Sequence, residues 1–187
     1  REEVVESLKR GVAHFFEPTL DEKLKRAVDN GSLQVFRKIP PGREASVYII
    51  TVGTPLGNDG RARLDMIENV SREVAAHMKD DDLIILRSTV KVGSTKKIVM
   101  PVLNKVGVGY DLAFCPERTL EGKALEEIRS LPQIVGGADM TSNIRAAQLF
   151  QFLTPTVVRV QDLETAEMIK LVDNTQRDVQ FAFANEV

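Results

Sequence analysis

Five runs, ASVYIITV (residues 45–52), DDLIILRS (81–88), YDLAF (110–114), PQIVGG (132–137) and TVVRV (156–160), are short, β-branched and nearly continuous in apolar character. A strand without polar alternation has no face turned to water, so these runs predict a parallel sheet covered on both sides. Between them, helical patterns occupy residues 64–78, 94–103 and 142–152. Strands alternating with helices read as βαβ units and predict a doubly wound, Rossmann-like α/β domain. The opening segment adds two helices, EEVVESLKRG and LDEKLKRAVDNG, ended by Gly11 and Gly31. A last strand hands over to a long helix between residues 153 and 164. The chain therefore reads as an α/β domain over residues 1–158 followed by the start of a long helical domain over residues 159–187. No internal repeat is present.

The long helix carries a polar stripe. At 3.6 residues per turn Lys170, Asn174 and Arg177 fall at i, i+4 and i+7, so an ammonium, an amide and a guanidinium project together. Such a stripe is either a solvated face or a set of donors for an anionic or many-hydroxyl ligand. The other faces carry Ala166, Ile169, Val172, Val179, Phe181, Ala182, Phe183 and Ala184. A helix apolar over so much of its girth packs against something, often another subunit. Asp173 and Asp178 lie elsewhere on the wheel and are expected to solvate the helix or pair with other chains.

Composition narrows the partners. A hydrophobic content of 43% with no low-complexity segment indicates a globular core. A net charge of -2 without a Lys/Arg cluster supports neither nucleic acid nor an anionic membrane as partner. There is no long uncharged apolar run, and a cytoplasmic setting is the default expectation. One cysteine and the isolated His14 and His77 leave no disulfide framework and predict no metal site.

Several side chains stand where chemistry would be expected. Glu117 and Glu121 flank Arg118 just past the run YDLAF, and open α/β sheets take ligands beyond the carboxyl ends of their strands. A carboxyl with a raised pKa there could take a proton from water; the plainer reading is a loop salt-bridged through Arg118. Thr54 and Thr89 each close an apolar run with a hydroxyl and serve either as turn residues or as ligand contacts, with Pro55 and Gly93 close behind them. Cys115 follows an apolar strand directly and has only Arg118 as a basic neighbour in sequence, so it reads as a structural thiol. Gly136 and Gly137 are expected to form a turn. Phe15 and Phe16 read as core residues leading into a turn at Glu17 and Pro18.

Read together, VGTPL (52–56), RSTVKVGST (87–95), CPERTLEGK (115–123), PQIVGG and AEMIKLVDNTQRDVQFAFANE resemble the UDP-glucose/GDP-mannose dehydrogenase family, in particular the branch that oxidises UDP-N-acetyl-D-mannosamine. The resemblance implies oxidation of the C6 hydroxyl of a UDP-sugar to a carboxylate, with two NAD+ used in succession through aldehyde and enzyme thioester stages. UDP-N-acetylglucosamine and UDP-glucose remain open as substrates. It further implies Lys170 as the cation beside the oxyanion and a shared base, Asn174 as a holder of substrate oxygen or water, and Glu117 as the residue activating water. Thr54, Thr89 and Glu121 become cofactor-side residues, with Thr89 also contacting that water. Arg118, Thr119, Lys170, Asn174 and Arg177 become sugar-nucleotide contacts, although the family more often has an aliphatic residue at Thr119. Glu17 matches an FEP element of the branch without an assigned role. A homodimer through the long helix is implied as well.

No GxGxxG turn occurs in these residues, and by the resemblance the first βαβ unit lies upstream of Arg1. The helix shows no stop signal at Val187. The expectation is a fragment whose nucleophilic cysteine and UDP-binding domain lie downstream, and which is inactive alone. Two other readings stand beside it: a short non-catalytic dimerisation module, and a β-hydroxyacid dehydrogenase with a similar Lys–Asn pair.

Overall fold

The structure is a computed structural model and describes residues 2–42 and 45–187. Each of the five apolar runs forms a strand: β1 Val47–Ile50, β2 Asp82–Leu86, β3 Tyr110–Phe114, β4 Gln133–Gly137 and β5 Val157–Val160. They form one sheet in the order β1-β2-β3-β4-β5. The helices are α1 Glu2–Lys9, α2 Leu20–Asp29, α3 Asp65–Ala75, α4 Met100–Leu103, α5 Ala124–Ser130, α6 Met140–Gln151 and α7 Leu163–Glu186. Gly11 and Gly31 follow α1 and α2 in the left-handed conformation expected of C-terminal caps. A π-helical turn, Thr95–Val99, leads into α4. Pro101 has no N–H to give to that ladder.

Alternate residues of the central strands serve opposite faces. Ile84, Leu86, Leu112, Phe114 and Ile134 pack with Ile67 and Val74 of α3, Val99, Leu103 of α4, and Leu163 and Ala166 of α7. Leu83, Ile85, Ala113, Cys115 and Val135 pack on the other face with Ala146 and Phe150 of α6. Both faces are covered, which is why the strands carry no polar alternation.

The sheet is mostly parallel, with one reversal: β4 runs antiparallel to β3 and pairs with it only at Ala113–Gly137 and Phe114–Gly136. The stretch after β3 runs beyond the carboxyl edge, turns through α5 and re-enters from that edge. The amino end of β4 therefore lies among the loops that follow β2 and β3, which matters for the site. The β4–α6–β5 unit is then parallel within itself.

Gly136 and Gly137 are strand residues, not the expected turn. A Cβ on Gly136 would lie 2.2 Å from the Asp162 carbonyl oxygen and 2.8 Å from the Ala166 Cβ; one on Gly137 would lie 2.4 Å from the Asn143 nitrogen. Two bare backbones let α7 and α6 start directly against β4. Gly136→Ala is expected to destabilise the fold by about 3 kcal/mol, because a backbone carbonyl cannot rotate away as a side chain could. Urea unfolding measures this, and a loss below about 0.5 kcal/mol would refute the close-packing account.

Candidate active site at the carboxyl edge of the sheet

Three groups of candidate residues meet at the edge where β1, β2 and β3 end. The first is a stitched pair of loops. Thr54 Oγ1 donates to the Thr89 carbonyl at 2.7 Å, and Ser88 Oγ donates to the Val52 carbonyl at 2.6 Å. Thr54 therefore joins the loop after β1 to the loop after β2. The Thr89 hydroxyl is half-buried and forms no hydrogen bond of its own among the described residues.

The second group is the loop past β3. Glu117 Oε1 accepts from the backbone nitrogens of Arg118 at 2.8 Å and Thr119 at 2.9 Å, folding the loop around its own carboxylate. Glu117 Oε2 accepts from Arg87 Nη2 at 2.5 Å. The ion pair thus goes to Arg87 rather than to the sequence neighbour Arg118. Burial pushes the Glu117 carboxyl up, but the Arg87 charge, its hydrogen bond and the two backbone N–H groups outweigh it, and the carboxyl is held below its ordinary value. The raised pKa considered for water activation is not found; Glu117 is an anion ready to accept.

The loop is also anchored from below. Glu17, buried, accepts from Gly122 N at 2.7 Å and Leu125 N at 3.2 Å, tying the α1–α2 segment to the start of α5. That gives the FEP element a structural task. Phe15 and Phe16, expected in the core, are 55% and 84% exposed, because Glu17 rather than the rings is turned inward. Glu121 is exposed, and no hydrogen bond or ion pair links it to the other candidates.

The third group is the α7 stripe. Lys170, Asn174 and Arg177 are each half-buried, whereas Val172, Thr175, Gln176 and Asp178 are exposed, so the stripe faces the protein. The Lys170 ammonium is pushed below its ordinary pKa, first by burial and then by Arg177 and Arg118; Asp173 and Glu117 oppose this. Coupling to both Glu117 and Arg118 means that the helix and the loop look at one another. Arg118, Leu120, Glu127, Leu131, Asp173 and Arg177 line a cavity of about 220 Å³ between them. Asp173, expected to face away, therefore belongs to this site: α7 lies so that its flank borders the loop.

Two residues that carry the geometry were not singled out from sequence. Glu167 is fully buried, one turn before Lys170, and accepts from Gly93 N at 2.5 Å, Thr95 N at 2.8 Å and Thr95 Oγ1 at 2.6 Å. It ties α7 to the loop that carries Thr89. Arg87 is 8% exposed, lies 4.7 Å from the Phe150 ring centroid and also donates to Gln133 Oε1 at 3.3 Å. The usable signals were a carboxylate at i−3 of the polar stripe beside buried Ala166, and a charge ending an apolar strand. A buried charge demands partners.

Cys115 is fully buried, and burial pushes its thiol up to about 12 despite the opposing Arg87 charge. A thiol of that kind is not ionised near neutrality and serves as core. Among the described residues no helix is long and apolar enough to cross a membrane, and no group of His, Cys, Asp and Glu could hold a metal ion.

The sequence and the fold can be compared with known proteins. The chain is 34% identical over 190 residues to the UDP-N-acetyl-D-mannosamine dehydrogenase of Pyrococcus horikoshii, covering 100% of this chain and 45% of that protein. It is 35% identical to the enzyme of the same name from Escherichia coli strain K12, covering 98% of this chain and 46% of that protein. It superposes on the solved UDP-D-ManNAc dehydrogenase of Pyrococcus horikoshii with a TM-score of 0.93, over 100% of this chain and 45% of that one. On the UDP-N-acetyl-mannosamine dehydrogenase Cap5O of Staphylococcus aureus the TM-score is 0.89 at 28% identity, over 100% of this chain and 46% of that one. The chain thus spans about half the length of the curated relatives it matches. Residues 1–154 match the NAD binding domain of the UDP-glucose/GDP-mannose dehydrogenase family, and the chain belongs to that family of NAD-dependent nucleotide-sugar oxidoreductases.

Proposed function

We propose that this chain supplies the cofactor side and the helix-borne half of a site that oxidises the C6 hydroxyl of UDP-N-acetyl-D-mannosamine to the carboxylate. The observation that carries the reading is the confrontation of Lys170 and Arg177 on α7 with Glu117 and Arg118 on the loop past β3, with Asn174 half-buried on the same stripe. The names of the relatives support the mannosamine sugar; UDP-N-acetylglucosamine and UDP-glucose are the competing substrates.

The residues present fit the nicotinamide side of NAD. An uncommitted Thr89 hydroxyl and the Thr54 loop stand at the carboxyl ends of adjacent parallel strands, where such sheets receive nucleotides. Thr54, Thr89 and Glu121 are the residues proposed to contact it, and no GxGxxG turn in the chain is assigned to its pyrophosphate. NAD+ supplies the hydride acceptor. In balance, one primary alcohol, two NAD+ and one water give one carboxylate, two NADH and three protons.

Lys170 stabilises developing negative charge on the C6 oxygen and, with its lowered pKa, gives and takes a proton there. Asn174 holds the same oxygen or the attacking water by its amide. Arg118 and Arg177, with their forks of donors, bind the acylamino sugar or phosphate, and the Thr119 backbone shapes that wall. Glu117 remains an anion and acceptor for the water that hydrolysis requires.

The test is stoichiometry in an enzyme of the relatives' full length carrying this chain. Two NADH per UDP-N-acetylmannosamine are expected, with slower turnover of UDP-glucose and UDP-N-acetylglucosamine. No turnover of any UDP-hexose would sink the reading in favour of a dimerisation module built on α7. That module has one observation behind it: Val172, Val179, Phe181 and Phe183 are each about 60–70% exposed. We also propose that these residues meet a second copy in the enzyme itself. Analytical ultracentrifugation with Phe181→Glu and Phe183→Glu decides whether the dimer is lost.

A further inference from the structure

We infer that Arg87 is a positioning residue of this site: its guanidinium fixes the Glu117 carboxylate in one orientation, and through it the backbone that presents Arg118 and Thr119 to the sugar nucleotide. The inference rests on the function proposed above and adds a residue that touches neither cofactor nor substrate.

The geometry is that of a clamp. Arg87 ends β2, is 8% exposed, and has its guanidinium carbon 4.7 Å from the centroid of Phe150 on α6. Its two terminal nitrogens are divided between Gln133 Oε1 at 3.3 Å and Glu117 Oε2 at 2.5 Å. Gln133 is itself buried and begins β4, whose antiparallel run delivers it to this edge. Three elements thus hold one planar cation, and only one of its directions leads to the loop. A planar fork held on a ring keeps its orientation as a lysine ammonium cannot.

On the far side of the clamp, Glu117 Oε1 takes the Arg118 and Thr119 backbone N–H groups. Breaking the Arg87 contact frees the carboxylate to rotate and releases both amides. The charged side chains facing Glu117 are Arg87 at the end of β2 and Lys170 on α7, while Arg118 on its own loop offers its backbone N–H. Of these, Arg87 makes the direct ion pair, and it holds the carboxyl below its ordinary value against burial. Protonation would remove an acceptor from the loop, so the clamp also preserves loop shape in acid.

The experiment uses the full-length enzyme with Arg87→Met, which refills the volume beside Phe150, and Arg87→Lys, which keeps the charge but loses the fork. In wild type kcat/KM for the sugar nucleotide should change less than about threefold between about pH 8 and about pH 5.5. In Arg87→Met it should fall about tenfold over that interval, because the unpaired, half-buried Glu117 is no longer held below its ordinary value against burial. Arg87→Lys should keep the flat profile while KM for the sugar nucleotide rises about fivefold and KM for NAD+ is unchanged. A folded Arg87→Met enzyme with the wild-type profile would overturn the inference. So would an Arg87→Lys enzyme with wild-type KM, which decides the matter if the Met variant does not fold. Carbon-13 titration of the Glu117 carboxyl in wild type and variants reads the same change without turnover. Absence of activity would thus count against the proposed reaction, and an unmoved carboxyl against Arg87.

Discussion

Replacing Lys170 by alanine in the full-length enzyme is expected to lower kcat by about 10²–10³, the loss that follows removal of one preorganised group aimed at developing negative charge. KM for NAD+ should change less than about threefold, because Thr54 and Thr89, the residues proposed to contact the cofactor, lie on loops that Lys170 does not touch through any hydrogen bond. Burial, Arg177 and Arg118 depress the Lys170 pKa, with Asp173 and Glu117 opposing. If the cationic form does the work, kcat declines as pH rises through that depressed value, beginning below the ordinary lysine range near about 10.4. The stability sign is separate. Between the folded and the higher unfolded pKa the unfolded chain binds more protons, so folding stability rises with pH across that window. Pre-steady-state and pH-rate measurements on wild type and Lys170→Ala decide the point. An alkaline limb that survives in the variant would remove Lys170 from the chemistry.

Glu167→Ala should cost the fold about 3–5 kcal/mol, a large share of the 5–15 kcal/mol by which domains are ordinarily stable. The carboxylate is fully buried and its two oxygens serve Gly93 N, Thr95 N and Thr95 Oγ1. Deleting it strands three donors away from water and leaves a void. Glu167→Gln should cost less, since one oxygen remains, but its amide hydrogens meet N–H groups instead of accepting from them. Because the same contacts tie α7 to the Thr89 loop, the Gln variant should also show weaker turnover at unchanged far-ultraviolet circular dichroism. Urea unfolding of both variants is the check. A loss under about 1 kcal/mol for Glu167→Ala would mean that the three donors find other partners and that α7 is held by its apolar side alone.

The contrast between Glu167 and Lys170 shows how far this site could be read from the chain alone. Lys170, Asn174 and Arg177 are visible because helical periodicity is local: seven residues suffice to put them on one stripe. Glu167 belongs to the same stripe, but its partners lie 72 and 74 residues away in sequence, and no local rule pairs them. Arg87 is similar. Its position after an apolar strand was plain, whereas its contacts with Gln133 and Glu117 depend on β4 entering the sheet backwards.

Glu117 illustrates a second gap. Its place beyond a strand end was legible, and so was the risk of a salt bridge, but the sign of its pKa shift was not. That sign depends on which cation lies within reach once the chain is folded. Arg118 is adjacent in sequence, yet it offers its backbone; Arg87, thirty residues earlier, offers its charge.

What the amino-acid sequence determined was the five strands and the helices other than α5, the apolar runs that bury both sheet faces, the stripe on α7 and the motifs that mark the family. These follow from periodicity and from residue types, which act over a few positions. What only the tertiary structure decided was the reversal at β4, the inward turn of Glu17, the pairing of Arg87 with Glu117, and the seat of α7 on Gly136 and Glu167. Those depend on backbones approaching within van der Waals distance and on buried charges finding partners far along the chain, and such choices are made only when the whole sheet is assembled.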